Sequence, residues 1–254
     1  MKNKYKKPDQ VFEQFWKQKF EKFAEKYDDD ASIAGWSRSG LSARLSRFSR
    51  YWEKFHYKDE KRLWLDAGCG AGTYSRLLSS KGHDVVGIDY SFQSIKKAKT
   101  KSQSSITWVV ADIKRLPFRS NIYDGVICFG VVQAVSDSDV LITEIKRCTS
   151  SNGEIWVDAL NKWFIPNIFK NISSKLAKRN AINVRYESHF KLKRILRRNG
   201  YDSISVFWVP VVPETSFMFR PINSRIVEIF FRYIPGLAML TCHSVLIRAS
   251  SKEN

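Results

Sequence analysis

Metal-site and disulfide patterns are missing from this chain. Its four cysteines, Cys69, Cys128, Cys148 and Cys242, form no Cys-x-x-Cys pair, and there are only four histidines. No zinc site, no disulfide framework and no metal are therefore expected, and the reducing cytoplasm is the expected compartment. Long apolar runs are missing too. None approaches the roughly 20 residues that span a bilayer. The basic start, Met1 to Lys7, leads into an amphipathic stretch, which is not the pattern of a secretory signal. There is no internal repeat and no low-complexity segment. Acidic residues are scarce: 25 Asp and Glu face 43 Lys and Arg, a net charge of +18.

That basic surplus is local. Residues 161–200 hold eleven Lys and Arg and one acid, Glu187. A concentrated surplus points to an anionic partner: nucleic acid, phospholipid headgroups or a phosphorylated substrate. A solvated helix face accounts for it equally well.

The 254 residues suffice for one large α/β unit with added elements. Residues 10–27 place Phe12, Trp16, Phe20 and Phe23 on one helix face, and 39–56 repeat the pattern with Leu41, Leu45, Phe48 and Trp52. From Arg62 the period changes. Strands are expected at 63–65, 84–88, 106–110, 123–129 and 153–159, with helices at 73–81, 91–101 and 138–148 between them. Such alternation predicts a doubly wound, Rossmann-like, mostly parallel sheet. A basic aromatic insert at 160–186 follows the fifth strand. A helix at 187–198 and strands at 204–209 and 243–249 bring the sheet to seven strands. The expected units are a helical N-terminal cap or lid (1–61), a cofactor-binding core (62–160) and the insert with the last strands (161–254).

The loop Asp66-Ala67-Gly68-Cys69-Gly70-Ala71-Gly72 lies between a strand and a helix. Glycine there permits a sharp turn and close approach of a ligand. Asp89, at the end of the second strand, can accept both hydroxyls of a ribose. A dinucleotide fingerprint has a different glycine spacing and places a pyrophosphate on the helix N-terminus. Here Thr73 stands at the third fingerprint position, and Asp66 would repel a pyrophosphate. An acid in that place suits the ammonium of an amino acid, which S-adenosylmethionine carries.

The stretches Leu65 to Gly72, Val86-Gly87-Ile88-Asp89-Tyr90-Ser91, Ala111-Asp112-Ile113, Leu116-Pro117-Phe118 and Tyr123-Asp124-Gly125-Val126 together resemble the class I S-adenosylmethionine-dependent methyltransferases. The likeness is to the broad group that includes the ubiquinone and menaquinone methyltransferases, and it covers about residues 62–160. It implies that Gly68, Cys69, Gly70 and Gly72 pack under the methionine and ribose portions and that Asp66 helps to hold the amino group. Asp89 would bind the ribose, Tyr90 would cover the adenine, and Asp112 and Ile113 would meet its amino group and ring. Phe129 and Gly130 would lie by the methionine end, and Asp124 would support the fold. Any one of these aspartates alone reads equally well as a turn or cap residue. Gln133 stands where the family often has histidine, and Ser151-Asn152-Gly153 where it often has Pro-Gly-Gly.

Methyl transfer from a sulfonium needs proximity, orientation and a dry site. A base is needed only if the acceptor must lose a proton. His189 is the candidate base, ahead of His243 and His56, and Gln133 could orient an acceptor. Tyr27, Trp36 and the N-terminal helices could form a lid. In Arg225 to Ile234, polar residues at i, i+3 and i+7 leave the rest of a helix apolar. Basic and bulky apolar residues together have the composition of interfacial helices. The leading expectation is a lipid-like or lipid-linked acceptor met at an anionic membrane surface by a peripheral protein. RNA comes second and a soluble metabolite third. A non-catalytic binding protein and an NAD-dependent enzyme complete the alternatives.

Overall fold

The computed structural model describes residues 8–56, 60–102, 105–169, 184–212, 215–216, 219–222 and 224–251. Much of the basic insert, 170–183, lies outside the described residues. The helices are α1 (Pro8–Lys26), α2 (Asp30–Ile33), α3 (Arg38–Phe55), α4 (Thr73–Ser80), α5 (Phe92–Thr100), α6 (Ser138–Cys148) and α7 (His189–Arg198). Short helices follow at Phe219–Ile222, Arg225–Tyr233 and Pro235–Thr241. The strands are β1 (Leu63–Ala67), β2 (Asp84–Asp89), β3 (Ile106–Val110), β4 (Tyr123–Cys128), β5 (Thr149–Leu160), β6 (Ser203–Val209) and β7 (Ser244–Ser250).

The seven strands form one sheet in the order β3-β2-β1-β4-β5-β7-β6. β1 to β5 pair in parallel, whereas β7 runs antiparallel to both β5 and β6. From β1 the chain winds outward to β3, then returns to β4 on the other side. That reversal opens a crevice beyond the ends of β1 and β4, where α/β sheets bind ligands. β5 starts four residues before the expected strand. Thr149 pairs with Tyr123 straight after α6, and the register shifts before Gly125 meets Glu154.

One apolar layer joins β1, β4 and β5 to α6 and α7 through Leu141, Ile145, Leu192 and Leu196. The other, beneath α3 and α4, is aromatic: Phe48, Trp52, Trp64 and Trp156 are all buried. Three of the phenylalanine's neighbours there, Trp52, Tyr74 and Trp156, meet it edge to face, the favourable arrangement for aromatic pairs. Asp124 Oδ2 accepts from the Leu63 amide at 2.9 Å and so ties the start of β1 to β4.

The N-terminal helices close over the crevice. Glu13 of α1 accepts from the Ser136 amide and hydroxyl at 3.0 and 2.6 Å and pairs with Lys114. Asp30 accepts from Thr73 at 2.5 Å, is 2.6 Å from Lys101 Nζ and pairs with Arg76. These contacts fasten the cap to the loops after β3 and β4, to α4 and to the end of α5. Among the described residues, no helix is long and apolar enough to cross a membrane.

Candidate functional site

A cavity of about 770 Å³ lies between the cap and the ends of β1, β2 and β4. That is within the usual range for small-molecule sites. Gly68, Cys69, Gly70, Asp89, Tyr90, Asp112, Ile113, Phe129 and Gly130 all line it. The loop backbone explains its glycines: Gly68, Gly70 and Gly72 have φ of 84°, 52° and 81°, in the left-handed region. A Cβ on Gly70 would meet nothing within 4 Å, so this glycine borders open space.

Asp89 stands at the centre of one wall. Its Oδ2 accepts from the Gly70 amide at 3.0 Å and its Oδ1 from the Ser91 amide at 2.8 Å. Each carboxylate oxygen retains a second lone pair for a ligand hydroxyl. Burial pushes its carboxyl up to about 6 despite these bonds. Asp112 is exposed at the rim, its Oδ1 capping the Lys114 amide at 2.9 Å. The Tyr90 hydroxyl donates to the Trp16 carbonyl at 3.4 Å, which brings α1 over the same wall.

Four sequence-based site residues are placed elsewhere. Asp66 is buried behind the loop, where Oδ2 accepts from Ser75 Oγ at 2.5 Å. Burial above all, with the nearby Asp89 charge, pushes its carboxyl up to about 7. Gly72 does not line the cavity: a Cβ there would stand 2.4 Å from the Trp108 ring. His189 opens α7 and is buried against Phe190 and Trp208. Burial and Lys193 push its imidazole down. It is not among the cavity residues, because α7 packs its apolar face, and His189 with it, into the core. Gln133 is likewise buried outside the lining, with its amide behind Gly130 and Oε1 lacking a hydrogen-bond partner.

Neither of the other histidines named above lines the cavity. His56 pairs with Glu154 beneath Trp52. His243 is packed against Phe164 and Tyr186, and burial pushes it down to about 4.

A buried polar cluster that the sequence reading missed lies beside Gly130. Arg44 Nε donates to Asp158 Oδ2 at 3.2 Å, and Asp158 Oδ1 accepts from the Gly130 amide at 2.6 Å. The guanidinium also donates to Gly40 O at 3.0 Å and to Ser244 Oγ at 2.6 Å, and stacks on Trp36 at 3.6 Å. Burial pushes the Asp158 carboxyl up, although Arg44 opposes the shift. Trp36, Leu41, Arg44, Tyr74 and Asp158 line the cavity together with Glu13, Trp16 and Phe20 of α1. The signals were there: Asp158 interrupts the apolar run Ile155 to Leu160, and Arg44 lies among the apolar positions of α3.

Residues 65–157 match the family model described as a methyltransferase domain. Over those residues the chain resembles the class I methyltransferases. Over 105 residues it is 39% identical to a malonyl-[acyl-carrier protein] O-methyltransferase of Hamiltonella defensa, covering 40% of each chain. A ubiquinone biosynthesis O-methyltransferase of Pelagibacter ubique is 31% identical over 114 residues, 44% of this chain and 47% of that one. The chain thus spans between two fifths and one half of the curated relatives it matches. Its fold is shared with magnesium protoporphyrin IX methyltransferase of Synechocystis PCC 6803, with a TM-score of 0.62 at 16% identity over 96% of this chain and 97% of that one. It is shared also with phosphoethanolamine N-methyltransferase 2 of Haemonchus contortus, solved with S-adenosyl-L-methionine, with a TM-score of 0.61 at 16% identity over 92% of this chain and 60% of that one.

S-adenosylmethionine is the cofactor of this family, and the residues present fit it. The open space at Gly70, the free lone pairs of Asp89 and the rim position of Asp112 match a nucleoside with an amino-acid tail.

Proposed function

We propose that this chain transfers the methyl group of S-adenosylmethionine to an oxygen of a lipid-like or lipid-linked acceptor met at a membrane surface. One observation carries the reading: a single cavity joins the nucleoside wall of Asp89 and Asp112 to the Trp36–Arg44–Asp158 cluster at Gly130. When bound, the cofactor supplies a methyl group already activated on a sulfonium.

The chain's residues then supply binding, orientation and exclusion of water. Gly70 and Asp89 seat the nucleoside. Trp16, Phe20, Trp36 and Phe129 make a mostly apolar chamber, suited to an apolar acceptor body. Arg44 donates three of the five N–H bonds that an arginine has, and two remain for an acceptor oxygen. A carboxylate acceptor is already ionised and needs no base. A hydroxyl acceptor must lose its proton, and Asp158, held beside Gly130, is placed to receive it. The malonyl-carrier and ubiquinone-pathway names of the relatives support oxygen as the accepting atom.

The test has two arms. Saturating S-adenosylmethionine or S-adenosylhomocysteine, at about 100 times its dissociation constant, should stabilise the fold by roughly 2.7 kcal/mol. Labelled methyl groups should then pass to lipid extracts of the source cell, and not to RNA. A thermal shift with NAD and none with S-adenosylmethionine would defeat the reading. Binding without transfer to any extract would leave a cofactor-binding protein instead of an enzyme.

A further inference from the structure

The helices at 225–233 and 235–241 present a large apolar surface to solvent. Ile226 is 79% exposed and Tyr233 80%, and Ile229, Phe230, Leu237 and Leu240 are exposed beside them. In the first helix the spacing of Ile226, Ile229, Phe230 and Tyr233, i, i+3, i+4 and i+7, makes one face, and Leu237 and Leu240, three apart, share a face of the second. Trp163, Ile165 and Phe169 are exposed on the neighbouring segment. Asn161 joins that segment to the second helix, donating to the carbonyls of Met239 and Cys242 at 2.6 and 2.8 Å. Contiguous apolar surface of this extent marks an interaction site.

The charges around the face identify its occupant. Among the described residues of 161–169 and 224–241, Glu228 is the one acid. It is turned inward, 3.2 Å from Arg47 and 2.8 Å from Arg50 of α3. The opposite side of the core is served by Phe231, which is buried. The charges left outside are Arg225, Arg232 and Lys162, all exposed and all positive. Apolar side chains ringed by exposed cations, with the acid withdrawn, complement a bilayer surface with anionic headgroups. A protein partner would need apolar surface too, but nothing about it would require the sole acid to face inward.

We infer that this face docks the protein on an anionic bilayer, with the 225–241 helices lying in the headgroup region. The inference deepens the methyltransferase reading, on which its purpose rests, by naming the surface that meets the lipid. Geometry links the two. Glu228 is held by Arg47 and Arg50, one and two turns along α3 from Arg44, which lines the cavity. A docked helix thus sits on the same rigid element that supplies the acceptor end.

Flotation with vesicles tests it, using phosphatidylcholine alone and phosphatidylcholine mixed with phosphatidylglycerol. The wild-type chain should bind the mixed vesicles at low salt and be released as salt rises. Ile226→Asp with Tyr233→Asp should lower partitioning at least about tenfold. Arg225→Gln with Arg232→Gln should lower it about fivefold per residue on the anionic vesicles alone. All these side chains are exposed and outside the cavity, so S-adenosylmethionine binding should be unchanged and confirms that each variant is folded. No flotation at low salt, or flotation equal in wild type and variants, overturns the inference. So does a dimer in sedimentation that the Ile226→Asp, Tyr233→Asp variant dissolves, because the face then belongs to a second copy. Failure of the wild-type chain to bind S-adenosylmethionine defeats the methyltransferase reading and leaves the vesicle result standing.

Discussion

Replacing Gly72 by alanine separates two reasons for a glycine in the loop. If the third glycine exists for the cofactor, the variant should lose affinity and keep its stability. The structure points the other way. The backbone at Gly72 has φ of 81°, a conformation that disfavours an L side chain by roughly 1–2 kcal/mol. The added Cβ would stand 2.4 Å from Trp108 Cη2, 3.1 Å from Cζ3 and 3.3 Å from the Ala98 Cβ. The indole has little room to retreat, because a Cβ at Gly87 would also lie 2.4 Å from its Cζ3. Trp108 is thus seated over two glycines at once. Overfilling such a contact costs about 1–3 kcal/mol. The total is roughly 2–5 kcal/mol, a fall of about 10 °C in Tm for a chain of this size.

Urea or thermal unfolding of Gly72→Ala, Trp108→Leu and the double variant measures this. In the Trp108→Leu background only the backbone strain remains, so Gly72→Ala should destabilise by about 1–2 kcal/mol there. The difference is the coupling between the two residues. Gly70→Ala is the contrasting control. Its Cβ meets nothing within 4 Å and points into space that the cofactor would use. It should weaken S-adenosylmethionine binding about tenfold, the loss expected from about 1.4 kcal/mol, with a stability loss of only roughly 1–2 kcal/mol. If Gly72→Ala instead weakens cofactor binding tenfold without destabilising, the argument from Trp108 is refuted.

Three further perturbations follow from the site. Burial raises the folded-state carboxyl of Asp66 to about 7, so the folded chain binds a proton that the unfolded chain releases near pH 4. Its contribution to stability is full below about pH 4 and is lost as pH rises through about 7. Asp66→Asn should flatten that decline, read as urea midpoints of wild type and variant without cofactor between pH 4.5 and 7.5; parallel profiles would show that Asp66 is ionised throughout. For Glu13, burial opposes ionisation, yet the bonds from Lys114 and Ser136 prevail and hold its carboxyl low. Glu13→Gln should loosen the cap, with cofactor dissociating at least about tenfold faster in stopped flow, on the basis of about 1.5–3 kcal/mol for hydrogen bonds to a charged group; an unchanged rate would mean that α1 does not gate the cavity. His189→Leu should leave kcat unchanged, because the ring is packed against Trp208 and does not line the cavity; a large loss of kcat in a folded variant would restore it as a catalytic base.

The loop half of the candidate cavity was legible because it is local. Gly68 to Gly70, Asp89 and Asp112 each follow a strand whose apolar run is plain in the sequence, and a parallel sheet brings successive strand ends to one edge. What stayed hidden was the direction in which neighbouring side chains are spent. Gly72 and Asp66 belong to the same motif, yet one accommodates Trp108 and the other bonds Ser75. Motif spacing does not distinguish a glycine facing a ligand from one facing an indole. His189 misled for a related reason. An amphipathic helix start can carry its histidine on either face, and only packing against Trp208 decides which.

The acceptor end was illegible for a topological reason. Arg44 and Asp158 are 114 positions apart, and Glu13 and Ser136 are 123 apart. No periodicity relates them. They meet because β5 lies beside β4, which places Asp158 next to Gly130, and because α3 crosses the same end of the sheet. Either residue alone is an oddity, a cation on an apolar helix face or an acid in a buried strand. A buried charge is expensive unless paired, so each implied a partner. An acid in a central strand and a cation on the helix preceding the sheet were therefore a searchable pair. Breaking it tests both its roles. Arg44→Met should destabilise by roughly 3–5 kcal/mol, the usual loss when one partner of a buried pair is removed. Arg44→Met with Asp158→Leu should recover much of that stability, yet remain inactive because the acceptor oxygen has lost its donors. Full activity in the stable double variant would assign the pair to the fold alone and move the acceptor site elsewhere in the cavity.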